Sequence, residues 1–176
     1  MKKFIPTILI RLLIVLVTSM SLWLTYYFIY PVANSNDSIQ KSISSYERYP
    51  ESKDKKIESV LDIGSLKFVL VHDDNKLEYA IFTKGLNGRF KYLSTASVYN
   101  ENTDTFVQNI NNTNYLLIIG VNRQQNTKLK VYVTTDDNVT ANHTLDISKD
   151  NYFIKCLVLS NAPPDTYNYR VWSSIE

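Results

Sequence analysis

Residues 66–99 read LKFVLVHDDNKLEYAIFTKGLNGRFKYLSTASVY, and this stretch sets the fold class. Residues 66–72 have strand composition, residues 73–76 (Asp-Asp-Asn-Lys) form a turn, and residues 77–84 answer as a second strand. Asn87-Gly88 then sits between strand-like residues. It is the strongest short-range hairpin signal in the chain, because a type I′ turn needs φ > 0 at both central residues. The chain returns from Phe90 to about Tyr99. A two-residue turn at Asn87-Gly88 sets Leu86 opposite Arg89, Lys84 opposite Lys91 and Phe82 opposite Leu93.

Toward the C-terminus the same grammar continues. A polar loop at 100–104 leads to a short strand near Phe106, and residues 111–114 break the pattern. Residues 115–121 (YLLIIGV) are apolar throughout, as in a central strand with both faces buried. Residues 129–135 alternate, Asp136-Asp137-Asn138 turns the chain, and residues 144–147 suit a short edge strand. Residues 152–159 form another apolar run. Pro163-Pro164 marks a loop, since proline cannot donate to a ladder, and residues 167–172 close the fold. The expected class is mainly β, an antiparallel sandwich or barrel-like sheet of about eight strands over residues 65–176.

Toward the N-terminus the period is lost. Residues 31–64 are polar and read as a stalk with short helices. In one, Asp37 caps a turn whose Ile39, Ile43 and Tyr46 share a face. In the other, residues 52–63, Ile57, Val60 and Leu61 make a stripe and Gly64 takes the αL cap. Ahead of the stalk, the stretch from Leu12 to Tyr30 (LLIVLVTSMSLWLTYYFIY) holds no ionisable group except its tyrosines. Eighteen such residues at about 1.5 Å rise span roughly 27 Å, close to the thickness of a bilayer core. This is expected to be a transmembrane helix, with the lipid bilayer as partner and Trp23, Tyr26, Tyr27 and Tyr30 as its aromatic belt. Lys2, Lys3 and Arg11 precede it with no acid among them. That places the short tail 1–11 in the cytoplasm and the β-rich domain outside the cell membrane, as a single-pass protein. A cleaved signal peptide is the rival. The apolar stretch exceeds the usual h-region of about 7–15 residues, however, and no small-x-small site follows it. Thr18, Ser21 and Thr25 form a hydroxyl stripe that suits either a helix contact or bonding back to their own carbonyls.

The net charge of +2 is partly the anchor's, because without Lys2, Lys3 and Arg11 the rest carries 16 basic against 17 acidic residues. Nothing resembles a nucleic-acid surface. One cysteine, Cys156, excludes an internal disulfide, and its apolar context suits an inert thiol. His72 and His143 lie near Asp73-Asp74 and Asp136-Asp137, but turn chemistry accounts for those carboxylates without a metal. With no Gly-x-Ser-x-Gly elbow and no phosphate-cradling glycine loop, no catalytic residue, metal or cofactor is expected.

One local arrangement is unusual. In the two-residue-turn register, Lys84, Arg89 and Lys91 share a face of the hairpin tip, where like charges across a ladder are destabilising. They are the candidate binding residues, for an anion such as a lipid headgroup, a wall polymer or an acidic surface of an envelope protein. Tyr46, Tyr49, Tyr92, Tyr99, Tyr167 and Tyr169 could line a carbohydrate or peptide surface, although strand propensity is the better explanation of these tyrosines. The function expected is a noncatalytic binding or accessory module on a membrane anchor. The alternative is a membrane-tethered hydrolase or metal-dependent enzyme with a dispersed site.

Overall fold

The computed structural model of the chain describes residues 4–46, 55–73, 76–98, 103–123, 126–134, 140–147, 151–159 and 170–175. Helix α1 (Phe4–Ile29) comes first. From Ile8 to Ile29 it is long and apolar enough to cross a membrane, and no residue of its apolar window is buried inside the protein. Those 22 residues at about 1.5 Å rise extend about 33 Å. Helix α2 (Asn36–Tyr46) follows. It is capped not by Asp37 but by Ser35, whose Oγ accepts the Ser38 N–H at 3.3 Å. Asp37 lies in the first turn, where a carboxylate complements the helix dipole.

Ten strands follow among the described residues. The first sheet is a meander of β1 (Lys56–Ile63), β2 (Leu66–Asp73), β3 (Lys76–Lys84) and β4 (Phe90–Ser97), in that order. The second sheet has β6 (Thr113–Val121) between β5 (Thr103–Ile110) and β9 (Tyr152–Val158), so the 115–121 run is central. The third has β7 (Lys128–Thr134) between β8 (Thr140–Asp146) and β10 (Arg170–Ile175), which leaves β8 as an edge. All pairings are antiparallel. Where a sandwich or barrel-like sheet of about eight strands is expected, the described residues form ten strands in three open sheets, with no closed barrel among them. Pro163-Pro164, the Asp136-Asp137 turn and Tyr167 lie outside the described residues.

Three apolar cores join these parts. In β2, Val69 and Val71 face one core with Ile39 and Ile43 of α2, together with Ala80, Phe82 and Phe90. The intervening Phe68 and Leu70 face a second core with Leu117 and Ile119 of β6 and Ile154 of β9. In β6 the alternation repeats. Leu116 and Ile118 enter a third core with Leu129, Val131 and Val133 of β7, Ile147 and Phe153. Successive side chains leave a strand on opposite faces. Strands β2 and β6 therefore read as unbroken apolar runs because each is sandwiched between two cores. Burying one such side chain is worth about 1.5–3 kcal/mol.

The helix expected over 52–63 is not found. Residues 56–63 are strand β1, and the reason is a bulge. Ile57 pairs with Val71 and Ser59 with Leu70, so Glu58 is the extra residue. An extra residue reverses which face the following side chains take. Ile57 joins the α2 core, whereas Leu61 joins the core shared with β6. A strand that changes faces mimics helical spacing at 57, 60 and 61. Gly64 does take a positive φ (57°), as the first residue of the β1–β2 hairpin turn rather than as a helix cap. The Asn111-Asn112 break is a tight turn with φ of 52° and 63°, between the paired Ile110 and Thr113, as a type I′ turn requires. Helix α2 is tied to the first sheet by Lys55. Its carbonyl accepts from Gln40 and its Nζ pairs with Glu78, with both side chains mostly buried.

Candidate functional site

The β3–β4 tip is where the first sheet meets the end of α1. Between Lys84 and Phe90 the chain folds into a tight loop. Gly85 N–H donates to the Arg89 carbonyl at 2.8 Å, and Gly88 N–H to the Gly85 carbonyl at 3.0 Å. Asn87 Oδ1 accepts the Arg89 N–H at 3.1 Å, the local backbone bond that favours Asn in turns. Gly88 has φ +73°, which L side chains rarely adopt.

This loop lies against the last turn of α1. The rings of Tyr26 and Tyr30, one turn apart, stack with centroids at 4.8 Å. Gly85 is seated on them so closely that a Cβ there would fall 2.8 Å from Tyr30 Cγ and 2.9 Å from Tyr26 Cε1. Tyr26 Oη accepts the Leu86 N–H at 3.3 Å. Arg89 Nε donates to the Tyr30 carbonyl at 2.9 Å, and a second guanidinium nitrogen donates to the Pro31 carbonyl. Its guanidinium carbon lies 4.3 Å from the Tyr27 ring centroid. Two carbonyls freed at the helix end thus receive charge-assisted bonds. Val32 and Phe90 complete the junction as a β-bridge, with N–H···O distances of 3.0 and 2.8 Å.

The expected cluster of Lys84, Arg89 and Lys91 on one face does not form. Near the tip Lys84 pairs with Phe90, Thr83 with Lys91 and Phe82 with Tyr92, one residue out of the expected register. Lys84 shares the face of buried Phe90, and Lys91 shares the opposite face with Thr83. The difference arises at a bulge. Ile81 pairs with Ser94 and Phe82 with Tyr92, so Leu93 is the extra residue. Below that bulge the register is the one that a turn at Asn87-Gly88 dictates. Lys84 and Lys91 are both exposed, and Arg89 is turned back onto the helix. Sequence reasoning missed Gly85, Leu86, Tyr26 and Tyr30 as a unit. Their only trace is a glycine at the hairpin tip and two tyrosines at helical spacing.

The other candidates are absorbed by packing. Thr18 and Thr25 hydroxyls bond back to the carbonyls of Ile14 and Ser21, each at 2.9 Å. His72 Nε2 lies 2.9 Å from Tyr152 Oη with the rings stacked at 4.6 Å, joining β2 to β9. His143 pairs across from Val131 on β8. Among the described residues no three His, Cys, Asp or Glu side chains converge to hold a metal. Burial pushes the Cys156 thiol up, against a smaller opposing effect of Lys155, which leaves it a poor nucleophile. Of the tyrosines, Tyr46 and Tyr92 stack at 4.4 Å, whereas Tyr49, Tyr99, Tyr167 and Tyr169 lie outside the described residues. A shallow concavity of about 550 Å³ runs along α2 beside Asp37, Gln40, Lys41, Ser44 and Ser45, all from one helix. No protein-family model, curated protein or solved structure matches the chain.

Proposed function

We propose that this is a single-pass membrane protein. In this reading α1 crosses the bilayer of a cell membrane with its N-terminus inside, and the three sheets stand outside as a layered, sandwich-type binding or accessory module without catalytic activity. The observation that carries the reading is the contrast between the two parts. The sheets and α2 bury their apolar residues in three cores, while, among the described residues, the apolar window of α1 buries none and only its last turn touches the sheets. Such a length of exposed apolar helix requires lipid or another apolar partner. Retention of the helix is favoured over its removal by the junction itself. Cleavage after Ala33 would discard Tyr26, Tyr30 and Val32, the residues on which Gly85, Arg89 and Phe90 rest. The positive-inside bias of Lys2, Lys3 and Arg11 supports the orientation.

The test is extraction and protection in cells. The full-length chain stays in the membrane pellet at alkaline pH, and protease added to intact cells removes the sheet domain. Release by alkaline carbonate overturns the anchor, and protection of the domain until lysis overturns the orientation. A mature chain starting near Asn34 in the medium overturns retention of the helix.

A further inference from the structure

We propose that the β3–β4 tip is a second membrane contact, in which Leu86 enters the outer lipid interface and Lys84 and Lys91 meet anionic headgroups on either side of it. The inference rests on the membrane reading of α1 and adds to it a lipid-binding surface on the β-domain.

Height is the first argument. The tip does not sit above the helix but beside its last turn, with Gly85 against both Tyr30 and Tyr26 and the Leu86 N–H on the Tyr26 hydroxyl. Tyr26 is four residues before Tyr30, about 6 Å lower along the axis. A span of about 33 Å is close to a hydrocarbon core of about 30 Å, so the last turn lies in the boundary layer where acyl chains meet headgroups. Whatever is fastened beside Tyr26 lies in that layer too.

Chemistry is the second. Leu86 is 96% exposed, the most exposed large apolar residue described, and an apolar side chain gains by leaving water for the headgroup–acyl boundary. Toward the same end of α1, Trp23, Tyr27 and Phe28 are exposed aromatics suited to an interfacial belt. Charge is the third. Lys84 and Lys91 stand on opposite faces of the hairpin, so they flank Leu86 rather than crowd each other. No Asp or Glu occurs between Tyr79 and Asn100, and no described carboxylate pairs with either lysine. Two uncompensated cations just behind an apolar tip match a layer of lipid phosphates above acyl chains. The bulge at Leu93 creates this arrangement, because without it both lysines would share one face.

The experiment uses the full-length chain in vesicles of phosphatidylcholine with phosphatidylglycerol, and in parallel in phosphatidylcholine alone. Leu86→Cys carries an environment-sensitive fluorophore in a Cys156→Ser background, with Cys156→Ala as the second background if circular dichroism shows that Ser disturbs the sheets. The reference label is at Lys76→Cys, at the far end of β3 and about 26 Å from Lys84. The label at 86 shifts to the blue and is quenched by brominated acyl chains, and the label at 76 does neither. Lys84→Ala with Lys91→Ala removes the extra quenching that phosphatidylglycerol brings. If the label at 86 behaves like that at 76 while the chain floats with the vesicles, the tip is not in lipid and the anchor stands. A blue shift without bromolipid quenching means that protein, such as a second copy, covers the tip, which overturns the proposal. If the chain does not float with the vesicles, the anchor fails and the tip contact with it.

Discussion

Gly85→Ala tests the junction between α1 and the sheets most directly. Gly85 does not have a positive φ, so alanine meets no backbone penalty there and the whole effect is space. Its Cβ would stand 2.8 Å from Tyr30 Cγ, about 0.7 Å inside the closest comfortable carbon–carbon separation. Cγ lies on the axis about which the ring turns, so turning the ring does not clear it; either Tyr30 leaves its stack on Tyr26 or the backbone moves. Overpacking of this kind costs about 1–3 kcal/mol. The interactions resisting separation are the two Val32–Phe90 bonds, the two from Arg89 and its contact with Tyr27. At about 0.5 kcal/mol for each backbone bond, 1.5 for each charge-assisted bond and 0.5 for the cation–π contact, they total about 4.5 kcal/mol. The junction therefore stays formed but opens more often, by about 5- to 150-fold at 1.4 kcal/mol per decade. Hydrogen exchange of the Val32 and Phe90 amides in detergent micelles or vesicles measures this. Lys76→Ala, at an exposed position at the far end of β3, leaves both amides unchanged. Exchange equally slow in Gly85→Ala and the parent chain would refute the close seating of the hairpin on the tyrosines.

Leu116→Ala and Leu117→Ala are adjacent in sequence but empty different cores, each costing about 2–5 kcal/mol in denaturant unfolding. Exchange rises mainly in β7 for the first and in β2 for the second; the same pattern for both would contradict the layered packing. Asn112→Val forces a β-branched residue to φ 63° and costs about 1–2 kcal/mol, whereas Asn112→Gly is neutral or stabilising. Equal midpoints for the two variants would exclude the tight β5–β6 turn. Stability also falls in alkali. Burial raises the Cys156 thiol above its ordinary 9.0, and burial with Asp104 raises the Tyr79 phenol above its ordinary 10.0. Well below pH 9 both groups are protonated in folded and unfolded chains, so neither adds a slope. Above it the unfolded chain ionises first, and stability is lost as pH rises toward the raised folded values. Cys156→Ala removes the part of this loss that begins near pH 9 and Tyr79→Phe the part near pH 10, read from denaturation midpoints against pH.

Much of the molecule follows from local pattern. Strands β2, β3, β6 and β7 lie within a residue or two of where alternation and turn residues put them, because side-chain direction along a strand depends only on neighbours in the chain. The apolar helix was equally legible, since its composition needs no partner to be recognised. Strand β5 is a full Thr103–Ile110 strand rather than a short segment near Phe106, its polar positions being tolerated at a sheet edge. The failures share one cause. A single extra residue at Glu58 turned a strand into an apparent helix, and another at Leu93 moved Lys84 and Lys91 to opposite faces.

The sequence by itself determined an apolar rod, the antiparallel strands beyond it and the polar breaks between them, all of which are properties of a few consecutive residues. The tertiary structure alone decided which face of β2 and of β6 meets which core, where the two bulges fall, and that Gly85 rests on Tyr26 and Tyr30. The seating of Gly85 joins residues some sixty positions apart, and such pairing is selected by the packing of whole sheets and helices, which no local period records.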